Sequence, residues 1–117
     1  MAKDYPEYYD ELCGLMAELR GEAPAVMAGF ATLHAASLAD GALSTKFKEL
    51  IALAIGIAVH CDGCIAYHIH DALKAGANGE EIAETIGVAV MMGGGPAAVY
   101  GCEALQALEQ FQVEPAA

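Results

Sequence analysis

The stretch Thr85–Cys102, TIGVAVMMGGGPAAVYGC, is the longest run in the chain without a charged residue. Its length is close to the roughly 20 apolar residues that a bilayer-crossing helix needs. Gly93-Gly94-Gly95-Pro96 interrupts it in the middle, and three glycines ahead of a proline end a helix rather than continue it. The run therefore reads as two helices meeting at the glycines, not as one span. Another uncharged run, Leu50–Cys61, is too short to cross a membrane. Nor does the triplet make a phosphate loop. It matches neither GxGxxG nor GxxxxGK[ST] and follows no strand, so it reads as a turn where two helices come close.

The rest of the chain shows the same helical punctuation, with no sustained alternation of the kind strands require. Pro6–Arg20 reads as a first helix, ended by Gly21, and Pro24 opens a second that runs to Leu38. Ala39-Asp40-Gly41-Ala42 is a turn, after which Ser44 or Thr45 caps a third helix. That helix is apolar almost all round from Leu50 to Val59, which predicts a central position. A break at His60-Cys61-Asp62-Gly63 precedes a fourth helix reaching Ala75, with Gly76 behind it. Asn78-Gly79-Glu80-Glu81 starts a fifth, its acids placed where the helix dipole favours them. Pro96 starts a sixth, ending near Phe111, and VEPAA is expected to fray. The expectation is one all-α domain over residues 1–117 with about six helices.

At 117 residues and 56% hydrophobic, the chain carries more apolar surface than so small a domain can readily hide. A homo-oligomer is expected. The net charge of −11, from 16 acids against 5 bases, disfavours nucleic acid and anionic membrane surfaces as partners. The opening MAKDYPEYYDEL lacks the basic-then-apolar pattern of an export signal. The reading is a cytoplasmic protein.

That reading bears on the four cysteines. Without export, a structural disulfide framework is not expected, and a close CxxC pair points to redox or metal chemistry. In HCDGCIAYH, residues 60–68, Cys61 falls at the start of the fourth helix. At 3.6 residues per turn, Cys61, Cys64 and His68 then share one stripe, with His70 on the other side. A thiol at a helix N-terminus faces unpaired N–H groups and the positive dipole end, which favour the thiolate. A histidine one turn on can accept its proton. Asp62 works against the thiolate unless it is engaged, for instance as a cap.

Three readings compete. A redox pair uses both thiols. A zinc site would take Cys61, Cys64 and His68 but needs a fourth ligand, for which His60 is the near candidate. Two inert buried cysteines are the third. A redox pair also wants a base, and Glu49 is the acid available on the third helix; its plainest reading is a solvated residue paired with Lys46. Cys13 and Cys102 read as small fillers, Met91 and Met92 as core, His34 and His70 as surface or interface residues, and Tyr67 and Tyr100 as packing, with lining a pocket as their alternative.

Glu49, Cys61 twelve residues later, Cys64 and then His68 together resemble the active-site pattern of the AhpD-like alkylhydroperoxidases, a branch of the carboxymuconolactone decarboxylase family. The resemblance spans Phe47–Phe111 and takes in GGGPAAVYGCEALQALEQF. It implies an all-α fold assembling as trimers or hexamers, and a thiol peroxidase or disulfide reductase needing no bound cofactor. It further implies that Cys64 is the peroxidatic thiol, Cys61 the resolving one, and Glu49 with His68 the proton relay. Electrons would come from a dithiol donor: a lipoyl group, a peroxiredoxin or a thioredoxin-like protein. Where AhpD has a histidine directly before the second cysteine, this chain has Gly63, which shortens the relay. The alternatives are a decarboxylase, a branch that generally lacks the CxxC pair, and a non-catalytic oligomeric binding module.

The spacing sets one further question. In a simple antiparallel hairpin Glu49 lies eleven residues before the turn at His60, about 16 Å along its helix. His68 lies only about 6–12 Å beyond that turn. Their contact would need a kink, a longer turn or a steep crossing.

Overall fold

The computed structural model describes residues 3–113, and every element in them is α-helical: α1 (Tyr5–Glu22), α2 (Pro24–Leu38), α3 (Thr45–Ala58), α4 (Asp62–Lys74) and α5 (Gly79–Val113). Local chemistry sets most of the starts. The Asp4 carboxylate accepts from the Glu7 amide at 3.0 Å, capping α1. Pro24 occupies the opening of α2. At α3 it is Ser44 that caps, accepting from the Phe47 amide at 3.2 Å. Thr45 instead ties the preceding turn, its amide to Asp40 at 2.8 Å and its hydroxyl to the Leu38 carbonyl at 2.7 Å. Asn78 and Glu81 form a reciprocal capping box at α5, each side chain accepting from the other's amide at 3.0 and 2.8 Å.

Two boundaries differ from expectation. Gly21 does not stop α1, which continues to Glu22 and closes at Ala23. A glycine weakens a helix by only about 1 kcal/mol, and the Ala23 amide bonds back to the Leu19 carbonyl at 2.8 Å. There are five helices, not six, because the segments on either side of the glycine triplet run into one another as α5. Only Gly94 leaves helical geometry, at φ 73°, ψ −152°. The direction of the chain nevertheless changes sharply there. A methyl placed on Gly101 would lie 3.0 Å from Ile86 Cγ2 and 3.4 Å from Val90 Cγ2, residues that a straight helix would hold some 16–22 Å away. The two halves of α5 fold back on each other, so this apolar helix of 35 residues is not a straight rod. The expected fraying beyond Val113 lies outside the described residues.

Gly94 sits in backbone space that essentially only glycine occupies, while a Cβ there would meet no neighbour. Gly94→Ala should therefore cost about 1–3 kcal/mol of purely conformational origin. A thermal melt should show a drop of several degrees, and an unchanged midpoint would contradict the turn as described.

The core is built from Leu53 and Ile57 of α3, Ile65 and Ile69 of α4 and Ile82 of α5, all fully buried. The second half of α5 contributes Ala97, Gly101, Ala104 and Ala107, small residues that allow close helix approach. α3 packs on both α4 and α5, but it is central on one face only. Phe47, Ile51, Ile55 and Val59, each four residues from the next, remain exposed along the other face. α2 buries none of its residues, and its Val26 and Leu33 face outward. Met91 and Met92 are exposed too, contrary to the core reading, because they fall on the outer side of α5 just before it turns.

Candidate active site: a disulfide beside a buried carboxylate–imidazole pair

Only Val59, His60 and Cys61 separate α3 from α4. His60 makes the corner with φ 62°, an uncommon conformation for a residue with a side chain. Its ring stacks on Tyr100 with centroids 4.8 Å apart and planes 8° from parallel. The Cys61 amide then donates to the Gly56 carbonyl at 2.9 Å. Gly56 brings the two helices together, since a Cβ there would lie 2.9 Å from Cys64 Cβ. Gly56→Ala should therefore overpack the contact and destabilise by about 1–3 kcal/mol. The expected signs are a lowered melting midpoint and slower closure of the Cys61–Cys64 bond after reduction. A variant indistinguishable from the parent in both would show that the two helices can separate freely.

Cys61 and Cys64 are joined, with S–S 2.01 Å and Cα atoms 5.1 Å apart. Cys61 is itself the N-cap of α4, its sulfur accepting from the Cys64 amide at 3.1 Å. That is the role the sequence left open for Asp62. Asp62 is instead the first residue of the helix and is held from α1. The Tyr5 hydroxyl donates to it at 2.6 Å, and Lys3 pairs with its other oxygen. The charge beside the sulfurs is thus engaged. Tyr5 is fully buried, and burial, with Glu103 adding to it, raises its phenol well above the usual range. It remains a neutral donor to Asp62.

Glu49 and His68 meet, with Nδ1 to Oε1 at 2.7 Å. Glu49 is 4% exposed and is the one buried charged residue of the described chain, so a partner is required of it. Lys46, its expected partner, pairs with Glu81 at 2.8 Å instead. The reach works without a kink or a long turn. Counted from the Gly56–Cys64 contact, Glu49 lies seven residues back and His68 four residues on. The mismatch of three residues is about 4.5 Å, a gap that the carboxylate and imidazole arms close. With Nδ1 bound to the carboxylate, Nε2 is the ring nitrogen left for proton exchange.

Both cysteines and His68 line a cavity of about 420 Å³ between α1, α2 and the start of α4. Leu12, Met16, Met27 and Phe30 supply much of its apolar wall. Tyr67 also lines it and donates to Cys13 Sγ at 3.7 Å. Burial, with this contact to Cys13, pushes its phenol up to about 12, so it stays neutral at ordinary pH. Gly63 is where α1 presses in, since a Cβ there would lie 3.2 Å from Leu12 Cδ1 and 3.5 Å from Tyr8 Oη. A larger residue at this position would have to displace that helix.

In the disulfide form the sulfurs are bonded to each other, so a zinc site on Cys61 and Cys64 would require the reduced chain, and His60, its near fourth candidate, is stacked on Tyr100. Among the described residues, the group whose ligand atoms come within 4.8 Å of one another is Glu49, His68 and Asp71. There Nδ1 is already committed to Glu49, and Asp71 bonds His70 at 2.8 Å. His70 in turn stacks on Tyr9 at 4.0 Å. Cys13 is half-buried, whereas Cys102 is exposed and fills no core space. Sequence reasoning missed Gly56, although an isolated glycine inside the helical run IALAIGIAV is itself a signal of close packing. It also missed the contribution of α1 and α2 to the cavity, for which there was no local signal.

The family model for the carboxymuconolactone decarboxylase family matches residues 24–107. An uncharacterized protein of Cupriavidus necator is 40% identical over 82 residues, 70% of this chain and 73% of that one. Among solved structures, a carboxymuconolactone decarboxylase family protein from Legionella pneumophila superposes with a TM-score of 0.88 at 44% identity, over 92% of this chain and 96% of its own. A Thermotoga maritima protein of that family, suggested to be involved in the antioxidative response, gives 0.67 at 34% identity, over 71% and 86%.

Proposed function

This chain belongs to the carboxymuconolactone decarboxylase family, and within it we propose a thiol-dependent oxidoreductase, an alkylhydroperoxidase or disulfide reductase. The observation that carries this reading is the placement of a closed Cys61–Cys64 pair and of His68, held from behind by buried Glu49, on the wall of one cavity. The antioxidative suggestion for the Thermotoga relative points the same way.

In the reduced protein, Cys64 lies in the first turn of α4, where unpaired amides and the helix dipole favour its thiolate. His68, one turn further on the same face, takes the thiol proton through Nε2 while Glu49 holds the ring at Nδ1 and balances its charge. The thiolate attacks the terminal oxygen of a hydroperoxide. The O–O bond breaks, Cys64 becomes a sulfenic acid, and the departing alkoxide takes a proton from His68 and leaves as the alcohol. The Cys61 thiolate then attacks the sulfenic sulfur, the S–S bond forms, and hydroxide leaves as water after picking up the Cys61 proton. Two electrons pass from the dithiol to the peroxide. An external dithiol, carried on a lipoyl group or on a peroxiredoxin or thioredoxin-like protein, reopens the disulfide by exchange. No bound cofactor enters this cycle.

The uncovered faces of α2 and α3 support a homo-oligomer, a trimer or hexamer, as the working form. The test of the function is a thiol count on fully reduced protein before and after one equivalent of cumene hydroperoxide. Loss of two of the four thiols with formation of the 61–64 disulfide is expected. Retention of all four with peroxide and with an oxidised dithiol would rule the reading out and direct attention to lactone decarboxylation.

A further inference from the structure

Arg20 is the only arginine in the chain, and it lines the cavity that holds the cysteines. No aspartate or glutamate is among the residues lining that cavity, although the protein carries 16 acids and a net charge of −11. Three of the four lysines are engaged elsewhere: Lys3 with Asp62, Lys46 with Glu81, and Lys48 with the Ala39 carbonyl. Among the described residues Arg20 enters no ion pair. The cavity is therefore a half-open, largely apolar cleft with the sulfurs, His34 and the guanidinium of exposed Arg20 on its wall and no acid among its lining, an exception in an acidic molecule.

The separation of these two features follows from α1. Leu12 lies against Gly63, the residue before Cys64. Arg20 is eight residues further along the same helix, a rise of about 12 Å, and the apolar side chains of Met16, Met27 and Phe30 line the cavity too. Guanidinium is the side chain best suited to hold a carboxylate, through two parallel N–H donors. A cavity of 420 Å³ is also in the range that buries a small amphiphile.

We infer that Arg20 is a specificity residue that anchors the carboxylate of a fatty-acid hydroperoxide, laying its apolar chain along the cavity with the peroxide at Cys64. This rests on the peroxidase reading of the same site. The chemistry is unchanged: the dithiol is oxidised to the disulfide, and the hydroperoxide is reduced to the hydroxy acid with release of water. The carboxylate takes no part in electron transfer and serves only to bind.

The experiment measures single-turnover thiol oxidation of the reduced protein by linoleic acid hydroperoxide and by its methyl ester, which removes the charge and keeps the chain. The ester rate is each protein's own reference. Wild type should favour the acid by about ten-fold, the scale of one charge-assisted hydrogen-bonded contact. Arg20→Gln should bring that ratio to about one, and Lys74→Gln, on the exposed end of α4 away from the cavity, should leave it at the wild-type value. Calorimetric titration with linoleate, which has no peroxide, gives a second readout: it should bind wild type and bind Arg20→Gln at least several-fold more weakly. If cumene hydroperoxide oxidises the thiols but the acid and ester react alike, or Arg20→Gln keeps both the preference and the linoleate affinity, the anchor is wrong while the peroxidase stands. If linoleate binds through Arg20 and no peroxide oxidises the thiols, the cavity holds an anionic amphiphile and the peroxide assignment of both readings is overturned.

Discussion

Cys64→Ser should abolish thiol loss driven by cumene hydroperoxide, by about a thousand-fold or more, because a serine hydroxyl in place of the thiol leaves no comparable nucleophile. Cys61→Ser should behave differently. Its first step keeps the attacking sulfur, so peroxide is still consumed once per chain, and the reaction then stops without a disulfide. The asymmetry is the point of the pair. If both variants lost the first step equally, Cys61 would be the attacking thiol or the two would act as a unit. Retained activity in Cys64→Ser would move the chemistry to another cysteine, and exposed Cys102 would be the first to consider.

Glu49→Gln and His68→Asn should each slow the first step at neutral pH by about a hundred-fold or more, within the range that positioned acid–base groups contribute. The pH dependence separates this from a structural effect. Without a positioned base, reaction relies on thiolate formed by bulk ionisation, and a free thiol ionises near pH 8.5. The deficit of both variants should therefore shrink as the pH is raised past that value. A merely misfolded site would keep its deficit at every pH. Rates equal to wild type at pH 7 would mean that the 2.7 Å contact between Glu49 and His68 has no part in the chemistry.

How far the sequence revealed this site depended on the range of the interactions involved. The helix starts at Ser44 and at Asn78–Glu81 were legible because a cap is decided within four residues. So was the stripe of Cys61, Cys64 and His68, which follows from helical periodicity once the start of α4 is known. The Glu49–His68 contact came from the family resemblance and not from spacing. It depends on how closely α3 and α4 approach at Gly56 and on the positive-φ corner at His60, neither of which periodicity encodes. The solvated reading of Glu49 failed for the same reason, since its burial is imposed by α4 and Lys46 is drawn off to Glu81 on α5. The distribution of the apolar excess was not legible in the sequence: the outward faces of α2 and α3 and the exposed Met91 and Met92 reflect which side each helix turns to the core. The cavity, and Arg20 on it, were invisible because α1 and α2 reach the cysteines only through tertiary packing.

Attack by Cys64 and resolution by Cys61 can be tested by dimedone trapping on Cys61→Ser protein after one equivalent of cumene hydroperoxide, with the adduct located by peptide mass spectrometry. A single adduct on Cys64 is expected at close to full occupancy, and none when dimedone is added without peroxide. An adduct confined to Cys13 or Cys102, or no adduct while peroxide is still consumed, would contradict it.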